Sequence, residues 1–314
     1  MTGDGGLVHW DDVEPRRLEA GHLAGSWRML GSAAGSVRAT VNRIEIDPGR
    51  WSTPAHVEGE EIFFVVGGFG LSWQDDEVYE IREGDCIVHR AGHEEHTLRA
   101  GDDGLDVLAY GLTNSVITPH LPRAGVSWLF PSWVETGAGE RPWIREAAAG
   151  EPDVGDPAER PANIVNLDQL EDERWIDLAD AAGSVDSGLN LVTIAPGKIA
   201  APAHCHSAEE EIFVVLEGDG TLELVPSPRS RDRGNEEQHH PVRTGHVVAR
   251  PAGTQIAHAF RGGNAGMKVL MYGVRDTNDI TYYPRSNKLA FRGVGLIARL
   301  EPLGYWDGEP EQPD

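Results

Sequence analysis

Residues 204–211 read His-Cys-His-Ser-Ala-Glu-Glu-Glu, and imidazoles beside carboxylates at this spacing are the raw material of a metal site. In an extended strand residues i and i+2 share a face, so His204 and His206 point one way and Cys205 the other. Glu211, opening the next strand, brings its carboxylate in beside them, with Phe213 and Val215 on the same face. His258 comes later, in Pro-Ala-Gly-Thr-Gln-Ile-Ala-His, where a strand starts behind a Pro/Gly turn. Three imidazoles and one carboxylate, without thiolate, suit Mn, Fe, Ni, Co or Zn, and the sequence does not choose among them. A lone His-x-His on a strand is often only structural. Four ligand-type residues in order, each beside its own turn, argue for one divalent transition metal per chain. Cys205, facing away, is left to packing.

A second version of this pattern exists because the chain repeats itself. Residues 33–56 (AAGSVRATVNRIEIDPGRWSTPAH) align without a gap on 181–204 (AAGSVDSGLNLVTIAPGKIAAPAH). EIFFVVGGFG (61–70) then matches EIFVVLEGDG (211–220), and GDCIVHRAG (84–92) matches GHVVARPAG (245–253). The Tyr-Gly pairs at 110 and 272 are followed at equal spacing by Pro-Arg at 122 and 284. Matches kept in order mark a duplicated domain. The first runs over 1–145 and the second over 164–314, with 146–163, rich in Pro, Gly and acid, as the linker. In the first copy His56 stands for His204, Glu58 for His206, Glu61 for Glu211 after a two-residue deletion, and His96 for His258. Two imidazoles with two carboxylates favour a harder ion, so a second metal is an open expectation. His89 and His93 lie close enough in sequence to substitute as donors.

The elements that must hold these residues read as strands. Short runs of Val, Ile, Phe and Leu are punctuated by Pro-Gly, Gly-Gly, Asp-Gly and Glu-Gly pairs, which predicts an all-β sandwich or barrel. VNRIEID and LNLVTIA alternate as half-buried strands do, whereas EIFVVLEG is continuously apolar, as for a strand covered on both faces. One helix is expected within 167–181. The segment 227–240, found only in the second copy and carrying His239 and His240, reads as a surface loop.

Size and charge bound the partners. A chain of 314 residues suits two domains, and a net charge of −24 repels a nucleic-acid backbone. No apolar run is long enough for a membrane helix, and the stretch MTGDGGLVHW lacks the pattern of a secretory signal. Cys86 and Cys205, the only cysteines, fit a reducing compartment, so a cytoplasmic address is expected. The aromatic, apolar closing segment 279–309 and its counterpart 117–135 need burial, which predicts a large interdomain contact and a homodimer. A lid of Tyr305 and Trp306 over the metal pocket is the alternative, and 309–314 should be disordered.

These motifs resemble the two motifs of the cupin superfamily. Gly197, His204, His206, Glu211 and Gly218 take the places of the first, with one extra residue ahead of His204. Gly245, Pro251, Gly253 and His258 match the second, with two extra residues before His258; in the first half Arg90 replaces the proline. The resemblance spans both halves, so the chain looks like a bicupin. It implies two double-stranded β-helix barrels, jelly-roll-like, with a few short helices and a ligand site inside. Phe213, Val215, Val247 and Phe260 would wall that site. Arg250, Arg261, Tyr272, Tyr282 and Arg285 are candidates for gripping an anionic substrate. Bicupins include ring-cleaving dioxygenases, oxalate-type decarboxylases, an aminohydrolase of the ureide pathway and storage proteins. The reading favoured is a metal-dependent oxidoreductase, dioxygenase-like, acting on a small organic or aromatic acid. The alternatives are a non-catalytic or structural bicupin that binds a small ligand, and a decarboxylase or aminohydrolase.

Overall fold

Four long strands decide the architecture of the computed structural model, which describes residues 6–113, 119–129, 132–135, 142–171, 173–304 and 307–308. Glu61–Gln74 pairs antiparallel with His96–Leu112, and Glu211–Pro226 pairs likewise with Ile256–Val274. Each pair bends midway, where the register shifts between Val65 and Gly70 or between Val215 and Gly220. Glycine is required at the bends. Gly68 and Gly218 have φ of +91° and +80°, and a Cβ would lie 2.5 and 2.2 Å from the carbonyl oxygens of Gly104 and Gly266. The bend lets one strand serve two faces of a barrel, so each half closes into a double-stranded β-helix of antiparallel strands.

The inward faces follow the alternation expected of strands. Phe213, Val215, Leu222, Val248, Phe260 and Val269 fill the second barrel; Ile44, Phe63, Val65, Ile87, Leu98 and Val107 fill the first. Val247 does not belong with them. Cross-strand partners share a face, and Val247 pairs with Val214 while Val248 pairs with Phe213. Val247 therefore faces outward, into the contact between barrels. That contact is a single apolar core in which Val41, Ile62, Phe64, Cys86, Leu108 and Tyr110 meet Leu189, Ile212, Val214, Ala249, Leu270 and Tyr272.

The barrels also exchange strands across the division that the repeat suggests. Leu7–His9 adds to His246–Arg250 of the second barrel, and Ile164–Asn166 adds to Asp85–His89 of the first. The segment expected as a linker is not a free tether. The helix Pro142–Ala149 reaches into it, Ala158 donates to the Val78 carbonyl, and Arg160 is paired with Asp85 at 2.7 Å.

Three further expectations change. Within 167–181 the expected helix is one turn long (Leu178–Ala181), preceded by a 3-10 turn (Leu167–Gln169) and a strand (Trp175–Asp177). Within 227–240 lie a short helix (Pro228–Arg231) and the start of a strand (Gln238–Arg243), on which His239 and His240 remain at the surface. Among the described residues the closing segment takes no part in the interdomain core. Its strands Ile280–Tyr283, Lys288–Phe291 and Leu296–Arg299 form a sheet with Cys205–His206, so it braces the His-x-His stretch of its own barrel. Tyr305, Trp306 and 309–314 lie outside the described residues. Among the described residues no helix is long and apolar enough to cross a membrane.

Candidate metal centre

His204 and His258 sit opposite one another and exchange backbone hydrogen bonds of 3.2 and 2.8 Å. Their imidazoles therefore project to one side, into the barrel, with ring centroids 4.8 Å apart. Glu211, at the start of the long strand, places Oε2 at 2.9 Å from His258 Nε2, 3.2 Å from His206 Nε2 and 4.0 Å from His204 Nε2. Donor atoms of His204, Glu211 and His258 lie within 4.8 Å of one another, and His206 reaches them through Glu211. Cys205 turns away and packs with Ala203, Val225, Ala257 and Tyr282.

The electrostatics make this a cluster in need of a cation. His206 Nε2, His258 Nε2 and Glu211 Oε2 are buried and make no hydrogen bond among the described residues. Such atoms are costly unless something binds them. Burial disfavours charge on Glu211, but the neighbouring His258 and His206 hold its carboxyl well below the usual range. Burial lowers His258 to about 4, with the neighbouring His204 and Arg250 adding to it against Glu211. His206 is the reverse case: burial opposes its charge, yet Asp279 and Glu211 raise it to about 10. An anionic carboxylate with a neutral imidazole whose lone pair faces it is the donor set a divalent ion takes. His204 Nδ1 is fixed by the Pro202 carbonyl at 2.8 Å, leaving Nε2 toward the centre.

In the first barrel His56, Glu61 and His96 converge in the same way, but their cluster is closed on itself. Both Nε2 atoms lie 2.9 Å from Glu61 Oε2 with hydrogen-bond geometry. Glu58 is not one of these three donors, but its carboxyl is hydrogen-bonded to Glu61. Burial and the nearby Glu61 charge raise its carboxyl, favouring the protonated form. His89 is buried and stacks on His96 at 3.7 Å, its Nδ1 held by Glu94 at 2.7 Å, while His93 is exposed.

The second centre opens onto a cavity of about 150 Å³ lined mainly by Val192, Phe213, Phe260, Val269 and Met271, with Trp175 and Tyr283. Tyr283 stacks on His204 at 5.7 Å, and Trp175 is anchored by its Nε1 to Asn190. The sequence points to neither as a site residue. Tyr283 lies on the strand next to the His-x-His stretch, a pairing the repeat does not reveal.

The proposed anion grips lie elsewhere. Tyr272 is in the interdomain core, stacked on Tyr110 at 5.1 Å. Arg261 and Arg285 are both committed to Glu223, at 2.8 and 2.9 Å. Tyr282 packs beside Cys205 with its hydroxyl on Asn287. Arg250 is buried, bonds the Ile256 carbonyl at 3.0 Å and does not line the cavity.

Comparison with known proteins bears on this geometry. The cupin domain family model matches residues 42–110 and 190–272. Two auxin-binding proteins of Nicotiana tabacum, T92 and T85, are each 40% identical over 95 residues, 27% of this chain and 50% of theirs. The chain thus spans about half the length of the curated relatives it matches. Among solved structures, the formate complex of Lactobacillus farciminis oxalate decarboxylase superposes with a TM-score of 0.59 at 16% identity, over 86% of each chain. A Bacillus subtilis oxalate decarboxylase structure concerned with Mn(II) centres gives 0.56 at 14% identity, over 87% of this chain and 78% of that one. At these identities the likeness is one of fold.

Proposed function

Both halves of this chain are cupin domains, the whole a bicupin, and from that premise we propose that its second barrel is a metal centre acting on a small organic acid with an apolar, ring-sized body. His204, His206, Glu211 and His258 would hold one divalent transition metal. The carrying observation is that the buried Nε2 atoms of His206 and His258 close on Glu211 Oε2 at 3.2 and 2.9 Å without forming hydrogen bonds, while His204, Glu211 and His258 line the apolar cavity. A cavity near 150 Å³ holds about one benzene ring. Oxalate, all carboxylate, would offer nothing to Phe213, Phe260, Val192 or Met271. The structural neighbours' decarboxylase chemistry is therefore less favoured than dioxygenase-like oxidation of a small aromatic or branched acid. A bound Fe or Mn would supply a Lewis acid and redox centre with positions free for substrate and dioxygen.

The chain's own residues would do the rest. Phe213 and Phe260 exclude water and orient the apolar body, while Tyr283 and Trp175 set the entrance. The first cluster, closed by its own hydrogen bonds, is assigned a structural role. A second reading, a non-catalytic ligand binder, is favoured by one observation: besides His204, Glu211, His258 and Tyr283, no titratable side chain lines the cavity among the described residues. The curated relatives, auxin-binding by name, agree with such binding. We also propose a cytoplasmic location, for which the two buried free cysteines speak, and a homodimer, for which exposed Leu296 and Ile297 on the edge strand Leu296–Arg299 speak. The test is oxygen uptake by Fe(II)- or Mn(II)-loaded protein with a panel of small aromatic and aliphatic acids, oxalate included. Uptake with a ring-bearing acid supports the oxidoreductase; CO2 release from oxalate without net uptake contradicts it; saturable binding without turnover supports the binder.

A further inference from the structure

The centre has a carboxylate behind it as well as in it. Asp279, on the closing segment just ahead of the strand Ile280–Tyr283, places Oδ2 at 2.7 Å from His206 Nδ1. It is 1% exposed. Its other oxygen accepts from the backbone N–H of Ala208 at 2.9 Å and of Glu209 at 3.2 Å, and the Ser207 hydroxyl lies 3.4 Å away. The Thr281 hydroxyl donates to Oδ2 at 3.2 Å. Asp279 is thus fixed by the same turn that carries His206. Glu209, beside it, is already matched by Arg292 and by the Asp276 N–H, so this group is not a second cation site.

We propose that Asp279 is the positioning residue of the metal centre: it holds a proton on His206 Nδ1 and so presents Nε2 to the metal. This rests on the metal reading of the second barrel. A carboxylate on the far nitrogen of a ligating histidine fixes its tautomer and ring plane and strengthens it as a donor. The duplicated half supplies an internal control. There the repeat puts Glu58 at the place of His206 and Ile117, a position outside the described residues, at that of Asp279. The two residues are present together in one copy and missing together from the other.

The test is a double-mutant cycle on Zn(II) and Mn(II) affinity of the full chain, using Asp279→Asn, His206→Ala and the double variant. Asp279→Asn should weaken second-barrel affinity by about 10- to 100-fold, and add nothing once His206 is gone. Equal affinity in Asp279→Asn, or a full further loss in the His206→Ala background, would overturn the proposal. Should the variant not fold, Zn(II)-loaded wild-type protein labelled with 15N-histidine reads the same proton directly. A His206 proton on Nδ1, protected from exchange, supports the proposal, and its absence refutes it. No metal binding by wild-type protein would sink the metal reading itself, an outcome distinct from these.

Discussion

Glu60 and Glu210 occupy equivalent places in the two barrels, and each reaches into the other barrel. Glu60 accepts from the backbone N–H groups of Val185, Asp186 and Ser187 and from the hydroxyls of Ser184 and Ser187. Glu210 accepts from the N–H groups of Val37, Arg38 and Ala39. Each directly precedes the glutamate that faces its own barrel's cluster, Glu61 or Glu211. The clasp therefore ties the interdomain contact to both clusters.

Glu60→Ala or Glu210→Ala strips a set of buried N–H donors of their acceptor. Each should cost at least about 2 kcal/mol, because bonds to a charged group are the stronger ones. Thermal unfolding of the apo-protein measures it. A loss no greater than that of an exposed Glu→Ala control would show that the clasp is idle.

Acid sensitivity follows from Glu223. Burial opposes its charge, yet Arg285 and Arg261 hold its carboxyl below the usual range. A depressed carboxyl contributes stability above its unfolded pKa of about 4.3 and loses it as pH falls through the lower folded value. Glu223→Gln should therefore lower the melting temperature by about 2 °C near neutral pH, with the difference vanishing toward pH 3. A difference that grows on acidification would have the wrong sign.

Both thiols should be inert in the folded protein. Burial pushes Cys86 far above its ordinary value and Cys205 up to about 11, so at pH 8 neither carries appreciable thiolate. Iodoacetamide labelling followed by mass spectrometry should find both cysteines unmodified until denaturant is added. Rapid native labelling of Cys86 would mean that the interdomain core opens.

The cavity wall is open to a steric test. Val192→Phe adds bulk to a space that holds about one ring, and should cut turnover or ligand binding at least tenfold while leaving metal content unchanged. Unaltered turnover would place the substrate elsewhere.

Much of this is legible in the sequence for physical reasons. Duplication, Gly and Pro turns and the two-residue strand period specify the barrels and bring His204, Glu211 and His258 together, with His206 joined to them through Glu211. What periodicity cannot reveal is which strand lies beside which. The exchange of Leu7–His9 and Ile164–Asn166, the docking of the closing segment on Cys205–His206, and hence the roles of Tyr283 and Asp279, are long-range pairings with no local signature. Val247 and Tyr272 are misplaced by sequence reasoning for a related reason. These strands are covered on both faces, so hydrophobicity alone does not say which side of the sheet is the barrel interior and which the partner barrel.

Whether the second barrel is a metal centre is decided most simply by metal content, measured by mass spectrometry on untagged protein purified without chelator, beside His204→Ala and His56→Ala. About one transition-metal ion per chain is expected, lost in His204→Ala and kept in His56→Ala. No metal in the wild-type protein, even after reconstitution with Mn, Fe, Ni, Co and Zn, or an ion lost only with His56, would contradict the assignment.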